Sequence, residues 1–298
     1  MPAPNRDVIY TYRYLRAAIV VLLFMILFSV GYEWFWQWQD TGQSCFLGSI
    51  SAYYYTPVRT VLVGSLCAIG VVLIVYKGHS PEEDVLLNFS GFMAVVVAMV
   101  PTVPDNLCGP SGFALSTSEI AMSVRNNIWT LIVAAVIAAV AASVLKRATV
   151  RRGVSSPPST TTIWLSVICG AVLLFELVLF LVLRDSFIAI SHDIAAATMV
   201  AGVIAVMVLS ARGVDERHNG ADTPYRRIYL CLALALGIML ALTLVVALTV
   251  GGLNHVVLVA EVVVIVLFAT YWIVQTIELW DLSTSSPDEG RHCDGVAQ

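Results

Sequence analysis

Apolar residues gather along this chain in eight long stretches, with the polar residues collected in the joints between them. The stretches cover 14–35, 58–76, 86–103, 127–145, 162–183, 188–210, 228–250 and 255–277. Each comes close to the roughly 20 mostly apolar residues that carry an α-helix across a bilayer. The pattern predicts an all-α fold, a polytopic transmembrane helix bundle of about eight spans. The first stretch is too long for the apolar part of a cleavable leader and lacks a small-residue cleavage site. It ends in Tyr32, Trp34, Phe35, Trp36 and Trp38, which reads as an aromatic belt at a membrane surface. It is therefore taken as a span.

Composition supports a membrane setting. The chain is 59% hydrophobic and only 12% charged, with a mean hydropathy of +0.86. An ordinary soluble domain carries about 25% charged residues. The basic residues predict an orientation. With the N-terminus in the cytoplasm, Arg6, Arg13, Arg16, Lys77, Lys146, Arg147, Arg151, Arg152, Arg212, Arg217, Arg226, Arg227 and Arg291 lie inside, 13 of the 16. Arg59, Arg125 and Arg184 remain for the outer side. Excess positive charge marks cytoplasmic loops, so eight spans place both termini inside. Residues 1–282 then form one membrane domain, and the polar residues 283–298 a disordered cytoplasmic tail. The basic run and Ser/Thr/Pro segment at 146–161 is a candidate seam between two halves, although no repeat relates them.

Topology gives the six cysteines their meaning. Cys67, Cys169 and Cys231 lie inside apolar stretches and read as small hydrophobes. Cys293 is in the tail. Cys45 and Cys108 sit in the two larger outer loops, where an oxidising compartment favours a disulfide between them.

Candidate chemistry lies among ionisable groups within the apolar stretches, because a charge in hydrocarbon is costly and usually faces a cavity or a partner. Glu176, His192, Asp193 and Glu261 are these groups, with Arg59 and His255 at the outer edge. At about 1.5 Å of rise per residue, Glu176, His192, Asp193 and Glu261 fall at similar depth in the outer half of the membrane. They are expected to line an outward-facing polar pocket. Each also has a plainer reading. Ser191 can be the N-cap of a helix in which Asp193 meets the positive dipole end. Glu176 can pair with Arg184, and His255 can be a loop residue.

Other chemistries find little support. Zinc could draw on His192, His255 and Asp193 or Glu261, yet there is no HExxH and no histidine pair at helical spacing. No metal or other cofactor is therefore assigned. Ser49 or Ser51 with His192 and Asp193 has the composition of a hydrolytic triad, without a nucleophile-elbow sequence. P-loop, dinucleotide and haem motifs are absent. The spread of basic residues along the inner face suits anionic lipid headgroups, not nucleic acid.

Several residues are read for packing. Pro57 starts the second helix. Gly64 and Ala68 offer a small-residue contact face. Arg59 either snorkels or holds a phosphate. Tyr53, Tyr54 and Tyr55 are expected to anchor at the interface. Glu82, Glu83 and Asp84 favour a helix N-terminus, and Asn88 and Ser90 are expected to hydrogen-bond between helices.

The segments Ser49-Ile-Ser-Ala-Tyr-Tyr-Tyr-Thr-Pro-Val-Arg59, Glu83-Asp-Val-Leu-Leu-Asn88 and Phe268-Ala-Thr-Tyr-Trp-Ile-Val-Gln-Thr-Ile-Glu-Leu-Trp280 resemble a recurrent pattern in uncharacterised actinobacterial multi-pass membrane proteins. That resemblance covers most of the first three stretches and the last. It implies a bacterial plasma-membrane location and carries no activity. A fainter similarity is to the ceramidase-like membrane hydrolases. This chain lacks their His-x-x-x-His pair and has tyrosine where histidine is expected in the first outer loop.

Three functions stay open from sequence. One is a non-enzymatic membrane protein whose pocket binds a lipid or small amphiphile, or which supports an envelope partner or a second copy. Another is a proton-coupled transporter using Glu176 and Glu261, although matching broken helices are missing. The last is a membrane-embedded hydrolase.

Overall fold

The computed structural model describes residues 6–42, 47–102, 116–151, 158–218, 220, 223–249 and 256–284. Their regular structure is all helical, with no strand among them. Eight α-helices follow in order: α1 Arg6–Thr41, α2 Arg59–Val75, α3 Pro81–Met99, α4 Thr117–Arg151, α5 Thr160–Val182, α6 Arg184–Arg217, α7 Tyr225–Thr249 and α8 Val256–Thr284. A 3-10 turn, Ser51–Tyr55, precedes α2. The Cys45 and Cys108 pair, His255 and the residues of the tail beyond 284 lie outside the described residues.

Six helices, α1 and α4 to α8, are long and apolar enough to cross a membrane. They fit a multi-pass membrane protein. α2 has only 17 residues, about 25 Å of helix at 1.5 Å per residue. α3 has 19 and carries Glu82, Glu83 and Asp84 in its first turn. Its acids are accommodated locally: Ser80 caps the helix by accepting from the Glu83 amide at 3.1 Å, and Pro81 occupies the first turn. Glu82 accepts from the hydroxyls of Ser159 at 2.5 Å and Thr162 at 2.6 Å, which ties the start of α3 to the start of α5.

Six helices close a ring, because α1 packs on α2, α2 on α3, α3 on α6, α6 on α7, α7 on α8 and α8 on α1. α5 packs outside against α3 and α6, and α4 against α3. α3 is thus covered from several sides, and much of its length is buried. That cover explains how a short helix with an acidic end belongs to an apolar bundle, since it need not face lipid. Single residue Leu183 separates α5 from α6, and α6 folds back with Phe187 against Phe180 at 5.2 Å between rings.

The closest helix approach differs from the expected one. Gly64 has open space where a Cβ would stand. The tight contact is between Gly70 of α2 and Gly91 of α3. A Cβ on Gly70 would lie 2.6 Å from the Gly91 carbonyl oxygen, and one on Gly91 2.5 Å from the Gly70 oxygen. Those obstacles are backbone, so they cannot rotate away. Gly70→Ala is expected to destabilise by about 1–3 kcal/mol through overpacking, measured by unfolding in detergent. Gly64→Ala should be neutral or stabilising by up to about 1 kcal/mol, because only helix entropy changes there. Equal effects at both positions would refute this account of the α2–α3 contact.

Other packing expectations change too. Tyr53, Tyr54 and Tyr55 are buried at 0, 9 and 2% exposure, so they are core residues and not interfacial anchors. The 3-10 turn rolls all three rings into the end of the bundle where α2 begins. Burial pushes the Tyr55 phenol up to about 12, and its hydroxyl donates to the Thr102 carbonyl at 2.7 Å. Of the aromatic residues at the end of α1, Tyr32, Phe35, Trp36 and Trp38 are exposed and Trp34 is half-buried. Ser90 donates to the Met199 carbonyl across α3–α6 at 3.3 Å, while Asn88 lies on an exposed face.

Candidate functional site

The candidate site begins with the segment before α2. Gly48 accepts from the Leu258 amide at 3.0 Å, which pins this segment to the start of α8. Ser49 caps the 3-10 turn by accepting from the Ala52 amide at 3.0 Å. The turn thereby brings Ser51 between α8 and α6. Glu261 of α8 accepts from the Ile50 amide at 2.5 Å through Oε2, and its Oε1 lies 3.4 Å from the Ser51 hydroxyl. On the other side, His192 Nε2 is 2.9 Å from the same Ser51 oxygen. His192 Nδ1 lies 2.6 Å from the carbonyl of Val100, just past α3. A carbonyl only accepts, so Nδ1 carries a hydrogen and Nε2 faces Ser51.

Glu261, Ser51 and His192 therefore form one chain, joining two of the sequence candidates through a serine. Glu176 stands apart. It accepts from Ser191 at 2.5 Å, and its other oxygen is buried without a hydrogen-bond partner. The expected Glu176–Arg184 pair does not form, because the sharp break at Leu183 folds Ser191 onto Glu176. Arg184 instead lies over the Phe180 ring at 5.8 Å. Ser191 is not an N-cap, since α6 already begins at Arg184. Asp193 is exposed and does not line the interior, being one helical position round from the buried His192.

Arg59 sits beside this site. Its Nε donates to the Tyr54 carbonyl at 2.8 Å and its guanidinium lies 4.7 Å from the Tyr54 ring centre. Tyr54 in turn lines a partly open cavity of about 10 Å³ with Ser51, His192, Leu62, Leu66, Val97 and neighbouring residues. That space is the size of one water. One end is polar, at Ser51 and His192, and the wall from α2 and α3 is apolar.

The arrangement limits the chemistry. Ser51 and His192 have the order of a nucleophile and base. Asp193 does not stand behind the histidine, however; the Val100 carbonyl does. The turn's amides at Ile50, Ala52 and Tyr53 already donate to Glu261, Ser49 and the Ile50 carbonyl. They do not form an oxyanion hole. Among the described residues, no three His, Cys, Asp or Glu side chains gather as a metal site.

A second polar cluster, at the opposite end of the ring, escapes the sequence reading. Glu278 accepts from Arg217 Nε at 3.0 Å, lies 3.2 Å from His218 Nε2, and accepts from the Tyr229 hydroxyl at 2.5 Å. Arg217 also donates to the Ser210 carbonyl at 2.8 Å, and Ser210 bonds Glu83 and Tyr271 at 3.2 and 3.0 Å. Gln275 donates to Tyr271 at 3.0 Å, while Arg16 donates to Tyr76 at 3.1 Å and to the Gln275 carbonyl at 3.4 Å. All six ring helices are reached, with Tyr76 just past the end of α2. Arg16 and Gln275 fall within apolar stretches and were the available signal; Glu83, Arg217 and Glu278 stand where charged residues are ordinary helix-end features. Neither a protein-family model, nor a curated protein, nor a solved structure matches this chain.

Proposed function

We propose that the protein is a non-enzymatic, multi-pass plasma-membrane protein with eight crossings and both termini in the cytoplasm, which holds an anionic amphiphile at its outer pocket. The charge bias of the loops supports that orientation. It puts the Glu278–Arg217 cluster at the inner face and the Glu261–Ser51–His192 chain at the outer. The carrying observation is the lining of the cavity, apolar along α2 and α3 and polar at Ser51 and His192. Because the space is water-sized, the ligand lies along the wall and inserts only its polar end. Arg59 is held by Tyr54 through one nitrogen, and its terminal nitrogens have no protein partner among the described residues. They are the groups that meet a phosphate or carboxylate.

Lipid extraction followed by mass spectrometry of the detergent-purified protein tests this. Anionic phospholipid should be retained over zwitterionic lipid, and Arg59→Ala should cut its retention about tenfold, the loss of one charge-assisted contact. Retention that is unselective, or unaltered by Arg59→Ala, would refute the reading.

A further inference from the structure

We infer that Ser51 is a proton relay between Glu261 and His192, which makes the outer site a proton-loading site as well as a docking point for the turn. The inference stands on geometry, and the neighbouring cavity serves it only as the route by which protons arrive. Ser51 has one hydrogen and lies within reach of two titratable groups, at 3.4 Å from Glu261 Oε1 and 2.9 Å from His192 Nε2. A hydroxyl donates once but accepts twice. Two states therefore fit the same heavy-atom positions. In one, a protonated Glu261 donates to Ser51 and Ser51 donates to neutral His192. In the other, His192 is an imidazolium that donates from Nε2 to Ser51, and Ser51 donates to the Glu261 carboxylate.

Passing between the two states is balanced. The Glu261 O–H bond breaks as its proton joins the Ser51 oxygen. The original Ser51 proton moves to His192 Nε2, and the serine ends as it began. Both end states keep their other partners. The Val100 carbonyl accepts from Nδ1 throughout, and the Ile50 amide donates to Glu261 Oε2 throughout. The Ser51 and Glu261 oxygens, 3.4 Å apart, close by about half an ångström as the proton passes. Protons arrive by way of the water-sized cavity that Ser51 and His192 line.

The charges around the chain are few. α6 adds Asp193, exposed beside His192; α2 adds Arg59, stacked on Tyr54; α5 adds Glu176, bonded to Ser191; α1 adds half-buried Glu33, which accepts from Gln37, and exposed Asp40. α7 has its ionisable residues only at the other end, from Tyr225 to Cys231. α3 supplies the end from which the Val100 carbonyl projects and has its acids in its first turn. The α3–α6 contact inward of the site is closed, since a Cβ on Gly202 would collide with Ser90. The relay meets water at the cavity that Ser51 and His192 line.

Infrared difference spectroscopy of the intact protein across a pH titration tests the relay. Bands are assigned to Glu261 and His192 by their loss in Glu261→Gln and His192→Gln. In the native protein the carboxyl and imidazole bands should change together, both taking part in each titration step. In Ser51→Ala they should separate, each step carrying one band, and Ser51→Thr, which keeps the hydroxyl, should restore the joint transition. Independent titration in the native protein would overturn the relay, as would a joint transition that survives Ser51→Ala. Covalent capture of Ser51 by a fluorophosphonate would also overturn it, by making the serine a nucleophile. Should Ser51→Ala lose helical content, the Ser51→Thr spectrum decides alone: separated bands with the hydroxyl in place refute the relay.

Discussion

Glu278→Ala is expected to destabilise the protein by about 3–5 kcal/mol, the cost of leaving one member of a buried ion pair alone. Glu278 is 1% exposed and answers donors from α6 and α7. Without it, Arg217 keeps its charge and loses its counter-ion. The guanidinium has little room to reach water, because it lies against Gly213, where a Cβ would stand 2.6 Å from Nη1. Tyr229, fully buried, would lose its acceptor as well. Unfolding in detergent should show a large fall in midpoint for Glu278→Ala and a comparable one for Arg217→Ala. The double variant should be less damaged than the sum of the two, since the second substitution removes the orphaned charge. Additive losses would show that the pair is not coupled.

Glu261→Ala is expected to cost about 1.5–3 kcal/mol, the range for hydrogen bonds to a charged acceptor. The loss should be local. Glu261 accepts from the Ile50 amide and from Ser51, so it holds the turn against α8. Hydrogen exchange at the amides of 47–55 should rise sharply, while the ends of α6 and α8 that carry Arg217 and Glu278 stay protected. Glu261→Gln retains a carbonyl acceptor for Ile50 and should open the turn less. Unchanged exchange in 47–55 for Glu261→Ala would contradict the docking role. This readout is independent of the relay, which Ser51→Ala interrupts while Glu261 and Ile50 remain paired.

The candidate site was legible in part, and the pattern of success has a physical cause. Glu261 and His192 stood out because an ionisable residue inside an apolar stretch must find a partner. The partner itself, Ser51, is an ordinary loop serine whose role arises only when the turn is folded onto α8. Glu176 stood out for the same reason as Glu261, yet its partner is Ser191, fifteen residues on, brought to it by the break at Leu183. Asp193 was grouped with His192 by depth, which says nothing of the direction a side chain takes round its helix. The Glu278–Arg217 cluster was missed because helix ends hold both solvated and buried charges. Only neighbouring helices distinguish Arg217, 12% exposed in its side chain, from Arg226, 57% exposed.

From sequence alone came the all-helical class, the apolar stretches and the acidic helix N-terminus at Glu82 to Asp84. These depend on local composition and on the hydrogen-bonding demands of a backbone in lipid, which each segment meets by itself. Tertiary structure decided the six-helix ring, the placing of α4 and α5 outside it, the Gly70–Gly91 approach, the burial of Tyr53 to Tyr55, and which polar groups meet. In lipid, every helix face is already in an apolar medium, so hydropathy does not say which faces pack together. Packing shape and the matching of buried donors to acceptors make that choice, and both depend on residues far apart in the chain.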